Sequence, residues 1–533
     1  MEYHFYPIDW LVLAAYFLGT MSIGFYFWRR SRSTEGFTAG GRSLSGLLCG
    51  LSIFATYLSS ISFLALPGSA YATNWNAFTF SIALLPATWI GVRWFLPYYR
   101  RSQEVSAYAH LEHRFGPWAR TYASVFYLLT QISRMGAVMY LMALPLSVLL
   151  GWDIRVLILI TGVLVTLYTF VGGITAVIWA DALQALVLMG GAFVCLGVML
   201  AGMPEGPGQI FTIAAEHNKL SLGSFGASVS TSTFWVVLIY GLTINLQNFG
   251  IDQNYIQRYI ASRSDAEAEK SVWLGGLLYI PVSAVFFFIG TSLFAYYHAR
   301  PDDLDALRSA VAVQRLAADG VTAAAPDYAG RFEETKAELT DEDLGDRVFP
   351  QFIGSQLPAG VTGLLIAAIF AAAMSTVSTS LNSSATLIMR DYYQRYVNPQ
   401  ASDRQSMIAL YAGTIVWGAL GTGVALLMIH IRGALDAWWT LASIFSGGMV
   451  GLFLLGMISR RAGNPAAATA VVAGLLVIVW MVVSPTGHWP EALAALRSPF
   501  HNFMIIVVGT LVILLVGLLV GQFTGRRDEP SPP

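Results

Sequence analysis

Charge is what this chain has least of. Asp, Glu, Lys and Arg make up only 11% of its 533 residues, and the net charge is −1. A soluble domain carries roughly 25% charged residues, so a soluble globular fold is excluded. There is no basic stripe or nucleic-acid-binding module, so nucleic acid is not a partner. The two cysteines, Cys49 and Cys195, both sit in apolar surroundings, which excludes a disulfide framework or a cysteine metal site. No nucleophile–base set, metal cluster or phosphate loop can be assembled from the polar loops, so the chain is not read as an enzyme. What it does contain is apolar helix. Hydrophobic residues make up 56% of the chain and recur in runs of about 20, the length that crosses a bilayer. The fold class is an all-α polytopic membrane protein.

Thirteen spans are expected, near 8–28, 46–72, 77–98, 119–149, 154–171, 175–202, 233–255, 273–298, 352–387, 407–430, 435–458, 464–484 and 500–521. The first is a full span followed by Arg29, Arg30 and Arg32, not the short apolar region of a cleavable signal. Basic residues fall in alternate loops: Arg29/Arg30/Arg32/Arg42, Arg100/Arg101/Arg114, Arg258/Arg263/Lys270, Arg390/Arg395/Arg404, Arg460/Arg461 and Arg526/Arg527. The positive-inside rule makes these loops cytoplasmic, with the N-terminus outside and the C-terminus inside. On the other side lie a moderate loop, 203–232, and a longer acidic one, 299–350. The longer loop is expected to be a solvated lid or spacer with a short amphipathic helix or two.

The ninth span carries Phe370-Ala-Ala-Ala-Met-Ser-Thr-Val-Ser-Thr-Ser-Leu-Asn382. Helical spacing clusters the oxygens of Ser375, Thr376, Ser378 and Thr379 over neighbouring turns. Hydrocarbon offers hydroxyls nothing, so they face protein, water or an ion, and a hard monovalent cation takes such ligands. The structural alternative is close helix packing, with the hydroxyls bonded back to the helix. The second span is broken in Ser52-Ile-Phe-Ala-Thr-Tyr-Leu-Ser-Ser-Ile-Ser62, ahead of Pro67-Gly68. The seventh is expected to break in Gly241-Leu-Thr-Ile-Asn-Leu-Gln-Asn-Phe-Gly250. Interrupted helices five spans apart mark the binding site of inverted-repeat secondary transporters; a channel more often shows a charged ring or a repeated pore motif.

Two charges stand inside spans, Arg134 in the fourth and Asp181 near the cytoplasmic start of the sixth. Each costs roughly 2.5–3.5 kcal/mol at a helix centre and should find a partner or ligand. Asp181 reads equally as an interfacial cap. Arg134, with no evident membrane carboxylate beside it, favours an anionic ligand over a structural ion pair.

The chain resembles the sodium/solute symporters over nearly its whole length. The resemblance rests on Gly172-Gly173 through Trp179, Asp181 and Gln184, on Gln253 through Gln257-Arg258-Tyr259, and on Ala371 through Asn382 with Asp391-Tyr392. Within the family it looks most like the bacterial sodium-coupled sialic acid transporters, through Phe54-Ala-Thr, Leu58-Ser59, Gln257-Arg258-Tyr-Ile260 and Ala367-Ala-Ile-Phe-Ala-Ala-Ala373. It implies a five-plus-five inverted repeat over spans two to eleven. Residues 1–45 then form an extra N-terminal helix with its basic loop, 46–462 the core, and 463–533 two further helices and a short cytoplasmic tail. With a tail this short, no appended sensor domain is expected.

The resemblance also implies sites. A first sodium ion falls on the carbonyls of Ala55, Leu58 and Ala372 and the hydroxyls of Ser375 and Thr376. A second falls on Asp181, Ser375, Ser378 and Thr379, all chemically suitable here, so two Na+ per substrate are expected. With a monoanion, two ions under a ~10-fold gradient and ~100 mV supply about 5 kcal/mol, against about 1.4 kcal/mol for one. Arg134 matches the carboxylate-holding position, and Ser59 and Ser62 match hydroxyl contacts. Tyr57 replaces a threonine, Ser81 a glutamine and Ala77 a phenylalanine, while Asn245 completes the expected pocket. The substrate is expected to be sialic acid, another sugar acid or a monocarboxylate. A neutral sugar is the alternative within the fold; a channel or a transporter-like receptor is more remote.

Overall fold

In the computed structural model, residues 5–102, 104–318, 320–321, 327–430, 442, 446–486 and 489–524 are described. Helices account for most of them. The helices used below are α1 (Pro7–Phe27), α2 (Gly46–Tyr57), α3 (Ser60–Ala72), α4 (Pro117–Leu150), α5 (Ile154–Ala201), α6 (Phe234–Ile251), α7 (Gln253–Ala261), α8 (Asp265–His298), α9 (Asp341–Ser355) and α10 (Val361–Leu387). Among the described residues, ten helical runs are long and apolar enough to cross a membrane, or eleven when α2 and α3 count as one bent span. The 48-residue α5 contains two expected spans, divided at Gly173 (φ 55, ψ −158). A side chain there would be strained and would also meet the Phe37 backbone at 3.0 Å, so glycine is required. The first part of the expected span 435–458 lies outside the described residues, as does the tail with Arg526 and Arg527; Met449–Ile458 is an apolar helix.

The second span breaks where expected. Leu58 (φ −90, ψ 119) and Ser59 (φ −115, ψ 170) are extended, and the two halves meet at 53°. Ser59 starts α3 by accepting the Ser62 N–H at 3.3 Å, the usual work of a serine N-cap. The seventh span does not break within 241–250. That stretch is continuous helix, and the interruption falls at Asp252 (φ −81, ψ 118), which caps α7 through the Asn254 N–H at 2.8 Å. Amides such as Asn245 and Gln247 are tolerated inside a helix, whereas an Asp competes for backbone N–H groups and restarts one.

The long acidic loop is more structured than a solvated lid. It holds helices Pro301–Ala318 and Tyr328–Glu338, and its end belongs to α9, which packs on α3 with Phe349 stacked 5.5 Å from Phe63. The ninth span therefore starts at Val361 rather than 352. A turn at 356–360 separates α9 from α10, and Gly360 (φ 85) supplies its left-handed residue.

α10 is the central element. It packs most extensively on α5 and also touches α1, α3 and α4, and nearly all its residues are buried. Its N-terminus is held by Asp9 of α1, one carboxylate oxygen accepting the N–H groups of Gly360 (2.8 Å) and Gly363 (2.7 Å). A negative group at a helix N-terminus satisfies orphan donors and meets the positive end of the dipole. The hydroxyl-bearing helix is thus anchored at its N-terminal end.

Candidate functional site

The last turn of a helix leaves carbonyls without intrahelical partners, and the break at Leu58 creates such an end inside the protein. Two adjacent carbonyls of this turn go to different partners. Ala55 O accepts from the Ser375 hydroxyl of α10 at 3.4 Å, and Thr56 O accepts from Arg134 Nη2 of α4 at 3.1 Å. Ser375 Oγ and Thr376 Oγ1 each also lie 3.2 Å from Ala372 O. With the extended Leu58 beside them, all five residues of the first expected sodium set are brought together. Bonds from a hydroxyl to a carbonyl normally measure about 2.7–2.8 Å, so these contacts are long. Two of them are bonds back to a carbonyl of the same helix, the structural alternative raised by the sequence, and the third joins α10 to α2. The carbonyls of Ala55 and Ala372 and the hydroxyls of Ser375 and Thr376 thus form one buried cluster of neutral oxygens, next to the break at Leu58.

The residues of the second expected set also converge, with an addition. Asp181 of α5 is fully buried, and its Oδ2 accepts from Ser52 and, at 2.8 Å, from Arg258 Nη2. The same Nη2 donates to Thr379 Oγ1 at 2.7 Å, while Ser378 Oγ donates to Ser375 O at 3.1 Å. Arg258 Nε donates to Ser52 Oγ at 2.7 Å, and Nη1 donates to Asn254 O. Arg258 is therefore not a loop cation, as the charge pattern of the loops suggested. It is wholly buried and paired with Asp181. Asp181 Oδ1 has no partner among the described residues.

Of the expected substrate residues, Arg134, Ser59 and Ser62 gather at the break. The Ser59 and Ser62 hydroxyls lie 3.4 Å apart. Arg134 is partly exposed, and its remaining donors have no protein partner among the described residues. Tyr57 packs instead among Tyr255 (5.0 Å), Tyr279 (5.2 Å) and Phe249 (5.9 Å). Ser81 shares a hydrogen bond of 2.8 Å with Ser283 of α8, and Asn245 Nδ2 donates to Phe80 O at 3.4 Å. No hydrogen bond among the described residues links this second pair to Arg134.

No carboxylate among the described residues forms an ion pair with Arg134, but one buried carboxylate, Asp252 at the break between α6 and α7, lies in the field of Arg134 and of Arg258 without pairing. The signal was available, since Asp252 falls within the span drawn at 233–255. Beside it runs a polar chain that the sequence did not show: Tyr127 OH donates to Ser383 Oγ (3.0 Å), and Ser380 Oγ donates to Gln131 Oε1 (2.7 Å). Further toward the basic loops, Arg120 bridges Glu112 and Asp391, and Arg395 also binds Glu112. Partial burial pushes the Glu112 carboxyl up, but hydrogen bonds from the two arginines outweigh this and hold it below the usual carboxylate range.

The sequence pattern of the sodium:solute symporter family matches residues 37–474. The sodium/sialic acid symporter NanT of Aliivibrio fischeri is 31% identical over 523 residues, covering 97% of this chain and 93% of that protein. The sodium/sialic acid symporter SiaT of Proteus mirabilis is 30% identical over 530 residues, covering 98% and 97%. A solved structure of a Na+-coupled sialic acid symporter, substrate-bound, outward-open and described as having a novel Na+ site, matches with a TM-score of 0.83 at 28% identity, over 98% of this chain and 100% of that one. These relatives are transporters, not enzymes, and the inverted-repeat transporter core expected from the paired breaks is this chain's architecture. This multi-pass protein of the inner membrane belongs to the sodium:solute symporter family.

Proposed function

We propose that this symporter imports sialic acid, or a sugar acid close to it, by alternating access and with two sodium ions per substrate. The carrying observation is the pair of adjacent carbonyls freed at the Leu58 break, one directed to the hydroxyls of α10 and the next to Arg134. A sodium ion drawing Ala55 O, Leu58 O and Ala372 O to the hydroxyls of Ser375 and Thr376 fixes that turn. It thereby fixes Thr56 O, which positions Arg134. Sodium and substrate then raise each other's affinity reciprocally. Arg134 offers the carboxylate a planar fork of donors, and Ser59 and Ser62 meet hydroxyls of the sugar. The unpartnered Asp181 Oδ1, on a carboxylate joined to Thr379 through Arg258, supports a second sodium ion with Ser375 and Ser378 of the same helix. The relatives' sialic acid supports the acid over a neutral sugar. In this reading the N-terminus lies outside, the C-terminus is cytoplasmic, and residues 46–462 form the moving core.

In proteoliposomes, uptake of N-acetylneuraminate is expected to require an inward sodium gradient and to fail when potassium replaces sodium. Equal uptake under a proton gradient alone counts against the proposal. The sodium Hill coefficient should lie between one and two in wild type and fall toward one in Ser378→Ala, with transport retained. A wild-type coefficient of one with electroneutral uptake leaves a single sodium site.

A further inference from the structure

Among the described residues, four charged side chains stand around the two breaks: Asp181, Asp252 and Arg258, all buried, and the partly exposed Arg134. Asp181 and Arg258 form a buried pair and cancel. Arg134 and Asp252 remain. Tyr127, Gln131 and Arg134 follow one another at helical spacing on a face of α4, and that face lies against the start of α7. The Tyr127 hydroxyl approaches Asp252 Oδ1 at 3.4 Å, and Gln131 Oε1 accepts from Asn254 Nδ2 at 3.4 Å. Arg134 follows on the same face, with Asp252 in its field and no direct ion pair between them. Without cargo, the core charges therefore sum to zero.

A carboxylate arriving at Arg134 takes the sum to −1. One sodium ion on the five oxygens returns it to zero. An uncompensated buried charge is costly, so neither cargo is favoured alone. We propose that Asp252 enforces coupling: because it already balances Arg134, the substrate's negative charge depends on a sodium ion for its compensation. The inference rests on the assignment above of Arg134 to the substrate carboxylate and of the five oxygens to sodium. A second sodium ion brings the sum to +1, and this surplus is the charge on which the membrane potential acts. In Asp252→Asn, Arg134 is free to balance the substrate by itself. The isosteric amide oxygen keeps the cap on α7.

Calorimetric binding of N-acetylneuraminate to the purified full chain, in sodium and in potassium, tests this. Sodium should raise wild-type affinity on the order of 10–100-fold, the usual range of coupling between sites. In Asp252→Asn that factor should fall severalfold, because the acid now binds in potassium, leaving only what sodium contributes by fixing Thr56 O. An unchanged factor, or equal weakening in both salts as a merely structural role predicts, overturns the inference alone. Wild-type protein that binds no acid, or binds it without regard to sodium, overturns the underlying assignment and the inference with it. Should Asp252→Asn fail to fold, the methyl ester of the sugar tests wild type. Adding no charge, it should show a sodium factor severalfold smaller than the acid's, and a factor equal to the acid's overturns the proposal.

Discussion

Replacing Arg258 with leucine is expected to destabilise the folded protein by roughly 3–5 kcal/mol, because it strands Asp181 as an uncompensated buried charge. Both side chains are fully buried, so water cannot take over. The substitution also removes the donors to Ser52, Thr379 and the Asn254 carbonyl, which join α2, α10 and α7. Thermal melting in detergent and the yield of folded protein from membranes measure the loss. Arg258→Lys keeps the charge without the planar fork and should lose less. Asp181→Leu combined with Arg258→Leu should recover much of the single-variant loss, because removing a whole buried pair is often close to neutral. A melting temperature unchanged in Arg258→Leu would show that Asp181 is balanced by something other than this arginine.

Arg134→Ala is expected to weaken acid binding on the order of 1,000-fold while the protein still folds. A charge-assisted, bidentate contact contributes about 1.5–3 kcal/mol. The alanine variant also leaves Asp252 near the substrate carboxylate as a like charge, with no arginine to offset it. Together these approach about 4 kcal/mol, or three powers of ten. Arg134→Lys should lose part of this, having charge without geometry. Removing both charges, with Arg134→Ala and Asp252→Asn, should bind the acid better than Arg134→Ala alone. Calorimetry reads the affinity, and a sodium-dependent melting shift confirms that the first ion site survives. If a neutral sugar binds wild type as tightly as its acid and also survives Arg134→Ala, the neutral-sugar reading replaces the carboxylate one.

The residues that carry these effects were unevenly legible. The hydroxyl cluster of α10 was plain, because Ser375, Thr376, Ser378 and Thr379 stand out against an apolar helix. The break at Leu58–Ser59 was visible in its run of hydroxyls. Asp252 and Arg258 were harder. Each follows an apolar run closely enough to read as its polar edge, and Arg258 sits near Arg263 and Lys270, which are loop residues. A charge at the end of a span costs little if it reaches water and much if it does not. Local sequence does not distinguish the two cases, since burial of α7 comes from helices far away in the chain.

By itself the sequence determined the class, the placing of most spans, the broken second helix and the oxygen-rich face of the ninth. All of these follow from local physical chemistry: apolar runs need lipid, and hydroxyls within them need partners. Only the tertiary structure decided how the charges are shared out. It paired Asp181 with Arg258, set Asp252 near Arg134, and moved the second break from the amide-rich stretch to the Asp. Ion pairs form between side chains 77 residues apart, as between Asp181 and Arg258, and which charges meet depends on the folding of whole helices around them. Charge balance in a low-dielectric core is a property of that assembly and is not written in any one segment.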